Sequence, residues 1–67
     1  MNAKITYVND VTKNDIVLTN PRFDRFDGFP CVVGQNSEGK ETWLEIYSEA
    51  EFKQGLVTGI LHAPVRL

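Results

Sequence analysis

Cys31 and His62 are the side chains of this sequence best suited to nucleophilic catalysis, and each is the only one of its type. A thiolate nucleophile needs a nearby base and an electropositive, accessible setting. Cys31 stands instead in the apolar run Cys-Val-Val, where a free thiol behaves as a small hydrophobic side chain. Nothing in the spacing brings His62 to it. We therefore expect no catalytic cysteine–histidine pair.

The same two residues limit metal and disulfide chemistry. One cysteine cannot form an intramolecular disulfide, and one cysteine with one histidine cannot supply the usual four ligands of a His/Cys zinc site. Glu41 and Glu45 share one side of a strand pattern and are expected to be solvated rather than catalytic. The five glycines are scattered at turns, so no phosphate-binding loop is formed. We predict no enzymatic activity, no metal and no cofactor.

The most unusual stretch is segment 21–30, Pro-Arg-Phe-Asp-Arg-Phe-Asp-Gly-Phe-Pro, which contains a tandem Arg-Phe-Asp. Its three phenylalanines recur every third residue, at positions 23, 26 and 29. That period fits neither a strand nor a long helix, and it is typical of a tight helical turn or an irregular loop. We therefore predict a loop.

Arginine and aromatic side chains are enriched at the energetic centres of protein interfaces. We expect segment 21–30 to present Phe23 or Phe26, flanked by Arg22 and Arg25, to a protein partner. The alternative is that the phenylalanines fold back and close the end of a small domain that is short of core. In that case the arginines and aspartates solvate the loop.

Trp43 is the second candidate for binding. It lies between Glu41 and Glu45 on one side of an alternating strand, and this aromatic–acidic patch suits a basic or arginine-bearing partner. The alternative is that Trp43 packs beneath segment 21–30 or beneath the C-terminal strand.

The elements that position these residues are short strands. Alternation and β-forming composition predict strands over 4–8, 16–19, 29–33 and 40–47, with one or two closing strands in 57–67. Pro30 restricts its strand to a start or an edge position. Residues 36–39, Asn-Ser-Glu-Gly, predict a hairpin turn. In the fourth strand, Leu44 and Ile46 are expected inside.

One short helix is predicted over about residues 49–54. Ser48 can cap its start, with Glu51 three residues later completing the capping-box pattern. Gly55 can end it in the left-handed conformation. Two turns are too short to be stable alone, so Ala50 and Phe52 are expected to pack against the sheet.

Together these elements predict one mainly β domain over 1–67. We expect a small SH3-like barrel, or a bent antiparallel sheet of about five strands, with the one short helix. No apolar run reaches the roughly 20 residues that span a bilayer, and residues 1–4 lack a signal peptide's apolar region. With a lone thiol, this predicts a cytoplasmic protein without a membrane partner.

Residues 13–17, Lys-Asn-Asp-Ile-Val, and residues 28–33, Gly-Phe-Pro-Cys-Val-Val, resemble the opening of KOW and Tudor-type SH3-like barrels. The resemblance covers about residues 13–47. It implies a small β-barrel with a basic or aromatic face that binds nucleic acid, methylated residues or protein.

The sequence favours a small protein-interaction module or inhibitor without chemistry of its own. Such domains are common among phage and mobile-element accessory proteins. An alternative is a nucleic-acid or ribonucleoprotein accessory domain using Lys13, Arg22, Phe23 and Arg25, although a net charge of −2 disfavours a nucleic-acid partner. A third interpretation is a homo-oligomer whose copies bury one another's edges and aromatic side chains.

Overall fold

The computed structural model describes residues 3–65, which form one five-stranded sheet and one helix. In chain order the elements are β1 (Lys4–Asn9), β2 (Asn14–Phe26), β3 (Phe29–Gln35), β4 (Glu41–Glu45), α1 (Glu49–Thr58) and β5 (Ile60–His62). The strand order is β4-β3-β2-β1-β5. The mainly β fold with five strands and one short helix is therefore confirmed.

The sheet is open rather than closed into a barrel, so the predicted barrel is not formed and the predicted alternative, a sheet of about five strands, is the one observed. It is also mixed rather than wholly antiparallel, because β5 runs parallel to its neighbour β1. The helix α1 connects β4, at one edge of the sheet, to β5 at the other edge.

One face of the sheet packs against the core, and we call it the core face. Its buried side chains come from all parts of the chain: Ile5, Tyr7, Leu18, Val32, Ile46, Phe52, Leu61 and Ala63. Leu44 packs at their border and Ile46 is fully buried, as predicted. Because successive side chains of a strand point to opposite faces, the residues between these positions form a second face. We call this second face the open face.

Segment 21–30 is not a loop, so that prediction is wrong. Residues 14–26 form one 13-residue strand, and Phe26 pairs with Phe29 across the two-residue turn Asp27-Gly28. Both turn residues have positive φ, 52° and 83°, as a type I′ hairpin turn requires. Segment 21–30 therefore spans the end of β2, this turn and the start of β3, and Pro30 lies at a strand start as predicted.

A β-bulge decides which residues of β2 reach each face. The register with β3 shifts between Thr19 and Arg22, where Asn20 takes a left-handed φ of 53°. Three steps along β2 match two along β3, and this extra residue reverses the alternation. Gly34 permits the close approach, because a Cβ there would lie 3.0 Å from the carbonyl oxygen of Thr19.

The helix begins where the sequence predicts and ends later. The Glu51 amide donates to Ser48 Oγ at 3.2 Å, which confirms the cap. Phe52 is buried as expected, but Ala50 is exposed, so its predicted packing against the sheet is wrong. The predicted end at Gly55 is wrong, because the helix continues to Thr58 and Gly59 is the left-handed cap, with φ 81°. Gly55 is instead buried inside the helix, where Leu61 packs against it.

The closing strand predicted within 57–67 is short. Only Ile60–His62 form β5, since the helix occupies the residues before Gly59. Arg66 and Leu67, at the end of that predicted strand, lie outside the described residues.

Candidate functional site

The candidate site is the part of the open face built by β2 after its bulge, β3 and β4. Strand register forms three lateral rows of side chains, which are Arg22–Val33–Trp43, Asp24–Cys31–Glu45 and Phe26–Phe29; Glu41 lies beside the first row, two residues before Trp43 on β4. The nine residues of the site, which we call the aromatic–acidic face, are Arg22, Asp24, Phe26, Phe29, Cys31, Val33, Glu41, Trp43 and Glu45.

Three exposed aromatic side chains dominate this face. Phe26 and Trp43 meet edge to face, with ring centroids 6.3 Å apart. The exposed fractions are 67% for Phe26, 48% for Phe29 and 41% for Trp43. A concavity of about 600 Å³ lies among them, with Cys31 and Glu45 completing its lining. The result is a concave, largely apolar surface.

An ion pair crosses the same face. Arg22 on β2 hydrogen-bonds through its guanidinium to the Glu41 carboxylate on β4. Because β3 lies between those strands, the pair spans β3. Val33 of β3 is matched laterally by Arg22 and Trp43 and is fully buried. The pair itself is half exposed, so its own stabilisation is about 0–1 kcal/mol.

Phe23 and Arg25 are separated from the other predicted site residues. The reversed alternation places both on the core face. Phe23 packs against Phe52 of α1 with ring centroids 6.0 Å apart, and the Arg25 guanidinium lies 5.2 Å from the centre of the Phe23 ring. Phe23 thus folds back onto the core, whereas Phe26 does not. The structure brings Arg22, Phe26 and Trp43 together.

Cys31 forms part of the floor of the concavity and is held as a neutral thiol. Its pKa is raised, chiefly by burial; a backbone hydrogen bond from Phe26 opposes the shift, and the Glu45 and Asp24 carboxylates add to it. The thiol donates to the Phe29 carbonyl at 3.6 Å. This environment is the opposite of the electropositive one that activates a cysteine.

His62 lies far from that thiol. It belongs to β5, which is three strand positions from β3, or roughly 14 Å at the usual strand spacing. Its Nδ1 is 3.2 Å from Asp10 Oδ2, so its close charged neighbour is a carboxylate at the β1–β2 turn. The two residues therefore do not form a catalytic pair.

Among residues 3–65, no cluster of three or more His, Cys, Asp or Glu side chains is arranged to hold a metal ion. None of the helical structure there is both long and apolar enough to cross a membrane.

Phe29 is the member of the aromatic cluster that sequence reasoning missed as a binding residue. The sequence does contain a pattern that predicts the position of Phe29, because Asp27-Gly28 between apolar residues strongly indicates a hairpin with a two-residue turn. Such a hairpin places Phe26 and Phe29 side by side on one face. The every-third-residue spacing concealed this, because it crosses both a bulged strand and a turn.

Comparison of the chain with protein-family models, curated proteins and solved structures found no match. The resemblance to KOW and Tudor-type barrels therefore stays a prediction. The structure of the aromatic–acidic face is therefore the basis for proposing a function.

Proposed function

We propose that this chain is a small protein-interaction module or inhibitor that binds a protein partner through the aromatic–acidic face. The observation that carries the proposal is the exposed cluster of Phe26, Phe29 and Trp43 around one concavity. Large aromatic side chains grouped at a concave, desolvatable centre supply most of the energy of many protein interfaces. The domain then contributes a surface rather than a reaction.

The aromatic side chains of this face are held by regular backbone structure. Phe26 and Phe29 flank a two-residue turn whose residues have the positive φ angles of a type I′ turn. Trp43 lies on β4, which pairs with β3. Side chains on paired strands lose less conformational freedom on binding than side chains on a mobile loop. This preorganisation favours recognition of a partner by the face as it stands.

The charges of the face favour a protein over a nucleic acid. Its nine positions carry three carboxylates and one guanidinium, a formal balance of −2. Arg22 is already paired with Glu41, and Arg25 lies on the other face of the sheet. A phosphate backbone would need a cluster of cations that these positions do not supply. A partner with basic side chains around an apolar centre is complementary.

The test is capture of a partner by the immobilised domain and its variants. Phe26→Ser removes an exposed ring, so we expect the free energy of unfolding to change by less than about 1 kcal/mol. We expect capture from a lysate of the source cells to fall at least about tenfold, as for the loss of an interface hot spot. Mass spectrometry would identify and quantify the captured protein.

Val57→Ser is the matched control, because Val57 is an apolar side chain of α1 that is 86% exposed and lies away from the aromatic–acidic face. Capture should be unchanged in this variant. Equal capture by the Phe26 and Val57 variants, with both folded, would refute binding through this face.

A further inference from the structure

Strand β5 forms the edge of the sheet opposite β4. The Gly59 carbonyl, just before the strand, accepts from the Thr6 amide of β1 at 2.8 Å. The Ala63 amide, just after the strand, donates to the Val8 carbonyl of β1 at 2.8 Å. Alternate residues along a strand turn their backbone groups to the same side. The odd-numbered residues of this segment therefore face β1, and the amides and carbonyls at positions 60, 62 and 64 point outward.

An open sheet edge favours association between chains. A row of unpaired amides and carbonyls is a template for pairing with another strand. This sheet has one edge at β4 and the other at β5, so pairing of β4 in one copy with β5 in the next would repeat without closing. Head-to-tail contacts that do not close produce filaments. Closing either edge prevents this assembly.

The Thr58 side chain covers the first outward position of β5. Its hydroxyl oxygen accepts a hydrogen bond from the Ile60 amide at 3.3 Å and donates one to the Ile60 carbonyl at 3.2 Å. A hydroxyl can make both bonds at once, because it has one donor hydrogen and two acceptor lone pairs. Both backbone groups that Ile60 would offer to an added strand are therefore bound within the chain.

Pro64 occupies the last of the three outward positions. Proline has no backbone N–H, so it cannot donate to a neighbouring strand. The following amide, that of Val65, donates to the Tyr47 hydroxyl at 2.9 Å, which ties the chain after Pro64 to the segment between β4 and α1. His62 is then the remaining outward position, and one residue is fewer than the roughly three of the shortest usual strands.

We propose that Thr58 and Pro64 close the β5 edge to added strands and so prevent copies of this chain from joining β4 to β5 in filaments. Thr58 occupies the outward backbone groups of Ile60, and Pro64 removes an outward donor. The proposal is independent of what the aromatic–acidic face binds, because β5 lies at the opposite edge of the sheet from β4.

The first test concerns the hydroxyl of Thr58. Thr58→Val keeps the branched shape of the side chain and removes its hydrogen bonds. We expect the Ile60 amide to exchange with deuterium about fivefold faster in this variant than in the wild type, as for the loss of one hydrogen bond. Thr58→Ser retains the hydroxyl and should restore slow exchange. Nuclear magnetic resonance of the nitrogen-15-labelled domain measures these rates.

The second test opens the edge. A double variant with Thr58→Val and Pro64→Val has free amides at three successive outward positions. We expect its mean mass in light scattering to exceed that of the wild type about twofold or more when both are concentrated to about 1 mM. The His62 amide of the double variant should become protected from exchange over the same concentrations, because it would lie in the new contact.

Thr12→Val is the matched control for loss of a threonine hydroxyl. Thr12 Oγ1 accepts from the Asn14 amide at 3.4 Å, which is the same kind of local bond, but it lies at the β1–β2 turn and not at the edge formed by β5. This variant should leave both the mean mass and the exchange rate of Ile60 unchanged. Circular dichroism would establish that each variant is folded.

Three results would overturn the proposal. The first is an Ile60 exchange rate that is the same in Thr58→Val and in the wild type, which tests the role of the hydroxyl even if the double variant does not fold. The second is a folded double variant that associates no more than the wild type, or that associates without protecting His62. The third is protection of His62 in the wild type that rises with protein concentration, since the edge would then be open already.

Discussion

Tyr7 links the buried side of β1 to the end of β4. Its hydroxyl donates to the Glu45 carbonyl at 2.6 Å across the core, although β1 and β4 are not neighbours in the sheet. Its pKa is raised above the ordinary value of 10.0, first by burial and then by the charges of Glu45 and Cys31. A single hydroxyl therefore joins two strands that do not pair with each other.

We expect Tyr7→Phe to lower the free energy of unfolding by about 1 kcal/mol, the usual net value of such a hydrogen bond. The variant should also lose less stability in alkali. A pKa that is higher in the folded state than in the unfolded state contributes stability below pH 10, and this is lost as pH rises through the folded-state pKa. Urea unfolding from pH 7 to 11 measures both effects; identical alkaline profiles would contradict the second.

Cys31 should resist alkylation in the folded domain. Its side chain is buried and its pKa is raised, so the thiolate that reacts is scarce. At pH 8 we expect iodoacetamide to react with Cys31 at least about tenfold more slowly than with a cysteine peptide. Reaction in denaturant should restore the peptide rate. A folded-state rate equal to that of the peptide would contradict the buried, neutral thiol.

Structural features that depend on nearby residues could be predicted from the sequence, whereas features that depend on distant residues could not. The helix start at Ser48 follows from side chains within three residues of one another. The helix end did not follow, because Gly55 is required by Leu61 of a later element rather than by a left-handed turn. A glycine has the same appearance in the sequence in both roles.

The site shows the same division. The exposed aromatic residues could be named from composition, but their partition between the two faces depends on the bulge at Asn20 and on the register with β3. The Asp27-Gly28 turn indicates that register, but nothing within segment 21–30 marks the bulge. The parallel pairing of β5 with β1 is equally remote, since it joins the two ends of the chain.

Gly55→Ala tests the packing of α1 against β5. Alanine favours an isolated helix by up to about 1 kcal/mol. Here, however, its Cβ would lie 2.6 Å from Leu61 Cδ2 and 3.3 Å from the Ile60 carbonyl oxygen. We expect a net loss of about 1–3 kcal/mol in the free energy of unfolding. Lys53→Ala, at an exposed position of the same helix, is the control and should be near neutral; stabilisation by Gly55→Ala would contradict the close contact.

At the scale of the whole molecule, the buried core and the proposed recognition surface lie on opposite faces of one sheet. The core face holds the main buried cluster, and the open face holds the exposed aromatic rings. A domain of this size has a core worth only about 3–5 kcal/mol, so binding variants must be chosen among exposed residues. Because the exposed aromatic residues lie on the face opposite the core, they can be substituted without disturbing the main buried cluster.

The whole molecule and its aromatic–acidic face each carry a net negative charge, which disfavours binding to nucleic acid. We expect no binding of a fluorescent single-stranded oligonucleotide in about 50 mM salt, where phosphate contacts are strong. Fluorescence anisotropy would measure this, with a basic nucleic-acid-binding domain as positive control. Binding that weakens steeply as salt is added would favour the nucleic-acid alternative over the protein partner.

The parallel pairing of β1 with β5 has a consequence for synthesis on the ribosome. Residues Tyr7 and Leu61 are partners, so the edge of β1 stays open until almost the whole described chain has left the exit tunnel. During that interval β2, β3 and β4 are already available to pair as consecutive antiparallel strands. The nascent chain can therefore pair β2, β3 and β4 before β1 acquires its second neighbour, and the late arrival of β5 leaves β1 exposed to wrong pairing with other chains.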